Sequence, residues 1–148
     1  MLKEYEMFNK EQIENSVKAF SEKTGVSLEK LNVGGSGALV MLGLKETARD
    51  LDIEVNKETF QYLKEKFPEA YKPKPYGEKH PLAPGILQLL IFEEPQGDFE
   101  IMEESLPFSI SSQETNGVRH YKKESIKKFK LWMGREKDIQ QLKKAGLI

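Results

Sequence analysis

Asp50 and Asp52 lie one residue apart in the segment DLDIEV (50–55), where acidic and apolar residues alternate. This alternation predicts a β-strand whose acidic side chains share one face while the apolar ones point to the core. On one strand face the two carboxylates lie close enough to bind one hard cation. Without a cation they repel each other, so the pattern indicates either a metal site or a solvated strand face.

A turn of Gly34, Gly35 and Ser36 lies between a short apolar run and a helix predicted over 38–44. Glycine lets a phosphate approach the backbone, and free amides at a helix start attract negative charge. No G-K-[ST] follows the turn and G-x-G-x-x-G does not fit it, which excludes a P-loop and a dinucleotide fingerprint. The segment therefore predicts a phosphate-binding turn or, alternatively, only a tight turn.

The hydrophobic pattern predicts the elements that must position these residues. Helices are predicted over 9–23, 38–44, 57–67 and from about 124 onward with a break at Gly134, and strands over 50–55, 86–92, 99–104 and 118–121. Prolines predict a loop or mobile flap over 71–85, and 111–117 is a second turn-rich link. This order favours an α/β (α+β) fold, a small mixed β-sheet flanked by helices.

Length and composition exclude several classes of protein. The chain has 148 residues and no cysteine, so we expect one domain over 1–148 without a disulfide scaffold, a zinc–thiolate site or a thiol nucleophile. No apolar run is long enough to cross a membrane, and the charged N-terminus MLKEYEMFNK is unlike a secretory signal. We therefore expect a cytoplasmic protein.

The formal net charge of −1 conceals an uneven distribution of charge along the chain. Residues 118–148 carry 10 Lys and Arg against 3 acidic residues, whereas 1–117 carry 13 against 21. A basic end indicates either a polyanionic partner or a solvated helix face. We expect the basic helices from about 124 to 148 to pack on the core.

The segment VGGSGALVMLGLKETARDLDIEV (33–55) resembles the core motif of the polymerase-β-like nucleotidyltransferase superfamily, a glycine turn, a helix and a D-x-D strand. It is most similar to the minimal bacterial and phage nucleotidyltransferases, in which GG-x-A precedes a basic residue, Thr and D-[IL]-D. The matching residues are Gly34, Gly35, Ala38, Lys45, Thr47, Asp50 and Asp52. The C-terminal stretch resembles that family's closing helices, with matches at Lys130, Gly134, Arg135, Lys137 and Asp138.

The resemblance implies a nucleotidyltransferase-type fold and a catalytic, metal-binding role for Asp50 and Asp52. It also implies a third carboxylate on a neighbouring strand, for which Glu100 within Phe99-Glu100-Ile101 is our prediction. The competing candidates are Glu54, Asp98, Glu103 and Glu104. The cofactor implied is Mg²⁺, in a one- or two-metal site, with Mn²⁺ as an alternative.

For the nucleotide, the resemblance implies that Gly34, Gly35 and Ser36 hold the phosphates. Lys130 and Arg135 would neutralise the pyrophosphate as it leaves. The expected enzyme moves a nucleoside monophosphate from an NTP to a hydroxyl of RNA or tRNA, a protein or a small molecule. The alternative is a catalytically inactive relative that binds nucleic acid or a partner protein, as in a toxin–antitoxin pair.

Aromatic and histidine residues carry weaker signals. Trp132, between Leu131 and Met133, is interpreted as core packing rather than as a base-stacking platform. Tyr76 in the proline-rich segment could stack on a base, as could Tyr71. His80 and His120 have no third His or Cys beside them in the sequence, so no zinc site is predicted.

Overall fold

The structure is a computed structural model that describes residues 7–148. Most of the N-terminal segment that argued against a secretory signal lies outside these residues. The helices are α1 (Lys10–Thr24), α2 (Gly35–Met41), α3 (Lys57–Lys66), α4 (Phe108–Ser111), α5 (Lys123–Met133) and α6 (Glu136–Lys144). The strands are β1 (Asn32–Gly34), β2 (Leu51–Val55), β3 (Lys74–Pro75), β4 (Ile86–Leu87), β5 (Leu90–Glu93), β6 (Asp98–Glu103), β7 (Ser112–Thr115) and β8 (Val118–Tyr121).

Six strands form the main sheet, in the order β5-β6-β2-β1-β8-β7. The strand pairs β2–β6 and β1–β8 are parallel, and the other neighbours are antiparallel. The sheet is therefore mixed and flanked by helices, which confirms the predicted α+β fold. Within residues 7–148, every helix is too short or too polar to cross a membrane.

The core lies where α1 and α3 pack on the central strands. The three apolar residues of β2, Leu51, Ile53 and Val55, are fully buried, as the alternating pattern predicts. Helix α1 begins at Asn9, whose side chain accepts a hydrogen bond from the Gln12 amide in a capping box. These features confirm the first helix and the D-x-D strand.

The basic C-terminal helices contribute a second apolar cluster. Ile126 of α5 and Leu142 of α6 are buried against Leu39 of α2 and the ring of Tyr121. Gly134 separates the two helices with a left-handed backbone conformation, φ 62°. The glycine turn before α2 and the closing helices are consequently parts of one packing arrangement.

Three local predictions are wrong. The single strand predicted over 86–92 is two strands, β4 and β5. Strand β4 pairs with β3 of the proline-rich segment, and β5 pairs with β6. Pro75 fits β3 because this strand lies in a two-stranded sheet with a free edge. The segment 111–117, predicted as a link, contains the edge strand β7, which its polar sequence does not indicate. The chain turns back after β7 at Asn116 and Gly117 to form β8. Trp132 is 51% exposed and not a core residue.

Candidate active site

Asp52 and Glu100 face each other across two parallel strands. The register of β2 and β6 places them opposite one another, and their carboxyl groups are close enough to share a hydrogen bond. Burial, and after it Glu100, raises the pKa of Asp52 to about 7. Asp52 therefore titrates near neutral pH beside the Glu100 carboxylate.

The glycine turn contacts this pair. Gly34 lies opposite Asp52 in the antiparallel register of β1 and β2. A Cβ placed on Gly35 would lie 2.6 Å from the Asp52 carboxylate oxygen Oδ2, and Gly35 has φ +53°. Only glycine meets both demands without strain. The structure thus brings the predicted phosphate-binding turn against the predicted metal ligand.

Asp50 lies at the border of the carboxyl pair. It is exposed just before β2, and its Oδ1 accepts a hydrogen bond of 3.3 Å from the Asp98 amide. Its charge still acts on Asp52, whose pKa it helps to raise. Within residues 7–148, no three His, Asp or Glu side chains are gathered closely enough to hold a metal ion. The structure therefore brings Asp52 and Glu100 together, whereas Asp50 lies beside this pair and not within it.

The other candidates for the third carboxylate have different surroundings. Glu54 is buried and accepts hydrogen bonds from the Tyr121 hydroxyl and the Ser105 amide. Glu103 is exposed and ends β6 opposite Val55. Asp98 and Glu104 border the site, since Asp98 contacts Asp50 through its amide and Glu104 acts on the pKa of Glu54. Glu100 is the candidate that hydrogen-bonds Asp52.

Lys130 and Arg135, the predicted phosphate ligands, are held by Asp138 of α6. Lys130 is buried, and its Nζ lies 2.6 Å from Gln141 Oε1 and 3.6 Å from Asp138 Oδ1. Arg135 Nε donates to Asp138 Oδ2 at 2.7 Å. Burial lowers the pKa of Lys130, against the opposing effects of Asp138 and Asp52. Lys130 therefore lies within electrostatic reach of Asp52, whereas Arg135 is bound to its partner.

Sequence reasoning missed two contacts at the site. Lys74 of β3 lies 3.6 Å, Nζ to Oε1, from Glu100, and Lys45 Nζ donates to the Ser36 hydroxyl at 3.3 Å. Nothing in the sequence points to Lys74, because the β3–β4 pairing that returns the proline-rich segment to the sheet has no local signal. Lys45 matches the basic position of the resembled motif, so its presence near the turn could have been anticipated.

The fold can be compared with solved structures, because it combines a glycine turn before α2 with a carboxyl pair on two parallel strands of a mixed sheet. The chain resembles a crystal structure from Thermotoga maritima, described as that of a "putative nucleotidyltransferase", with a TM-score of 0.62 and 16% sequence identity. The likeness covers 96% of this chain and 97% of the other. The chain therefore has a nucleotidyltransferase-type fold. Neither a protein-family model nor a curated protein matches its sequence.

Proposed function

We propose that this protein is a metal-dependent nucleotidyltransferase that moves a nucleoside monophosphate from an NTP to a hydroxyl of an acceptor. The observation that carries the proposal is the half-buried Asp52–Glu100 pair, with Gly35 lying against Asp52. A glycine turn that admits phosphate oxygens and an adjacent pair of carboxylates are what binding of a metal-bound triphosphate requires. The nucleotidyltransferase-type fold agrees with this assignment.

The donor set fits a hard cation such as Mg²⁺, or Mn²⁺, because it consists of carboxylate oxygens. Asp52 and Glu100 would be ligands, and Asp50 would join them by leaving the Asp98 amide. The raised pKa of Asp52, caused first by burial and then by Glu100, supports this role, since a bound cation would offset both effects. When bound, two such ions stabilise the attacking and leaving oxygens of an in-line displacement.

The remaining residues would orient the substrate. The backbone at Gly34 and Gly35 and the Ser36 hydroxyl would bind the β- and γ-phosphates, with Lys45 adding charge beside Ser36. Lys130, within electrostatic reach of Asp52, would face the leaving pyrophosphate. Arg135 would help to position Lys130, because both side chains bind Asp138. Glu100 would receive the proton of the acceptor hydroxyl as general base.

The test is incubation with each of the four NTPs, labelled at the α-phosphate, with Mg²⁺ and a panel of RNA, protein and small-molecule acceptors. We expect metal-dependent label transfer by the wild type and a loss on the order of 10³-fold or more in Asp52→Asn. Glu103→Gln is the matched control, because Glu103 is an exposed carboxylate that ends the same strand as Glu100. Label transfer that Asp52→Asn leaves unchanged, or none with any NTP, would overturn the proposal.

A further inference from the structure

An exposed aromatic patch lies where the proline-rich segment meets α5. It consists of Tyr76, His80, Phe129 and Trp132. The ring centroids of Tyr76 and His80 are 4.2 Å apart, and those of His80 and Trp132 are 6.2 Å apart at 87°. Phe129 lies 6.0 Å from Trp132, ring to ring. Because Trp132 is 51% exposed, the patch presents a large ring face to solvent instead of closing a core.

The aromatic patch borders the candidate active site on two sides. Lys74, which pairs with Glu100, precedes Tyr76 by two residues in the same segment. On the other side His80 contacts the ring of Trp132 on α5, and Trp132 follows Lys130 by two residues. The proline-rich segment and α5 therefore both connect the aromatic patch to the candidate active site.

Positive charge accompanies the aromatic patch. Lys79 is exposed and adjoins His80, and Lys128 is exposed one helical turn before Trp132 on α5. Lys74 adds a third cation, whose side chain is 54% exposed. The opposing charges nearby in sequence are Glu78, Glu124, Glu136 and Asp138, of which Asp138 is paired with Lys130 and Arg135. Aromatic faces interleaved with lysines are the composition that binds single-stranded nucleic acid, because bases stack on rings and phosphates meet cations.

We propose that the aromatic patch binds a single-stranded segment of a nucleic acid, with a base stacked on the exposed face of Trp132 and the phosphates at Lys79 and Lys128. This rests on the proposed function in one respect: the end of that strand would be the acceptor, whose terminal hydroxyl would lie beside the Asp52–Glu100 pair. A protein partner is the less favoured occupant, because the exposed Lys79 and Lys128 adjoin patch residues along the chain and the helix, and a polyanion matches their charge.

The experiment uses intrinsic fluorescence, because Trp132 is the one tryptophan of the chain. The probes, all used with a chelator so that no metal-bound triphosphate forms, are 12-nucleotide single strands of RNA and of DNA, a blunt duplex of the same sequence, and ATP alone. We expect saturable quenching by a single strand that weakens as salt rises, little quenching by the duplex and none by ATP. With a dye-labelled single strand, Trp132→Ala should weaken binding on the order of tenfold or more, measured by anisotropy.

One further variant separates the possible outcomes. Ile110→Ala, at a residue that is 60% exposed and outside the aromatic patch, should bind like wild type. The binding assay contains neither metal nor a transfer step, so a failed transfer assay and a failed binding assay can be told apart. Equal binding of single strand and duplex, an unchanged Trp132→Ala, or quenching by ATP alone would overturn the proposal. So would loss of self-association in Trp132→Ala, measured by light scattering, without any binding of the single strands.

Discussion

Replacing Asp52 by Asn should make the protein more stable at neutral and alkaline pH. Asp52 is a half-buried residue whose carboxyl pKa is raised from 3.8 to about 7 by desolvation and then by Glu100. A raised pKa means that the folded protein holds this proton more tightly than the unfolded chain does. The contribution of Asp52 to stability is therefore fully present below pH 3.8, falls as pH rises through the window from 3.8 to 7, and is lost above it. The amide of Asn at this position cannot ionise, so the variant does not lose this stability as pH rises.

The size of the effect follows from the two pKa values. The full difference between 3.8 and about 7 corresponds to about 4 kcal/mol of unfolding free energy. Because Asp52 is only half-buried and solvent screens part of this effect, we expect about half of it, ~2 kcal/mol at pH 8. For a chain of this length such a gain raises the melting temperature by about 4–8 °C.

The measurement is urea unfolding of wild type and Asp52→Asn from pH 4 to pH 9, in chelator and low salt. The difference in unfolding free energy should grow between pH 4 and pH 7 and level off above it. Glu103→Gln is the control, because Glu103 is an exposed carboxylate that ends the same strand as Glu100. A difference that is constant across this range, or a less stable Asp52→Asn at pH 8, would refute the reasoning.

Two further substitutions test how the site is assembled. Asp138→Ala leaves Lys130 buried beside Arg135 without their shared anion, so it should lower the unfolding free energy by about 3–5 kcal/mol in urea titrations; a loss under 1 kcal/mol would contradict this account. Gly35→Ala should abolish label transfer, since its Cβ would lie 2.6 Å from Asp52 Oδ2. Gly43→Ala, with the same left-handed backbone but open space around it, should lose only about 1–2 kcal/mol of stability and keep activity.

The sequence predicts the centre of the fold better than its edges. The β2 strand and α1 follow from local patterns, alternation in one case and a capping box with a helical stripe in the other. At the edges the same rules fail. Strand β7 is polar and pairs only through its neighbour β8, and β3 contains a proline that an edge tolerates. Both strands depend on long-range pairing, which no local window contains.

The candidate site shows the same division. Asp52 is predictable because D-x-D lies within one strand, and Gly35 is predictable from the turn. The contact between Asp52 and Glu100 depends on the parallel register of two strands, because the two residues are 48 positions apart in sequence. The sequence pattern predicts both strands but not this register. The ion pair between Lys74 and Glu100 could not be predicted from the sequence, because it depends on the pairing of β3 with β4.

The position of Asp138 explains why the carboxyl pair remains short of positive charge. The basic C-terminal end brings Lys130 near Asp52, but Asp138 and Gln141 bind the ammonium group, and burial lowers its pKa. Arg135 is neutralised by the same Asp138. Lys74 reaches only Glu100, from an exposed position where its contribution is screened by water. The protein thus places its cations around the pair without neutralising Asp52, which is the arrangement expected where a ligand has to supply the missing charge.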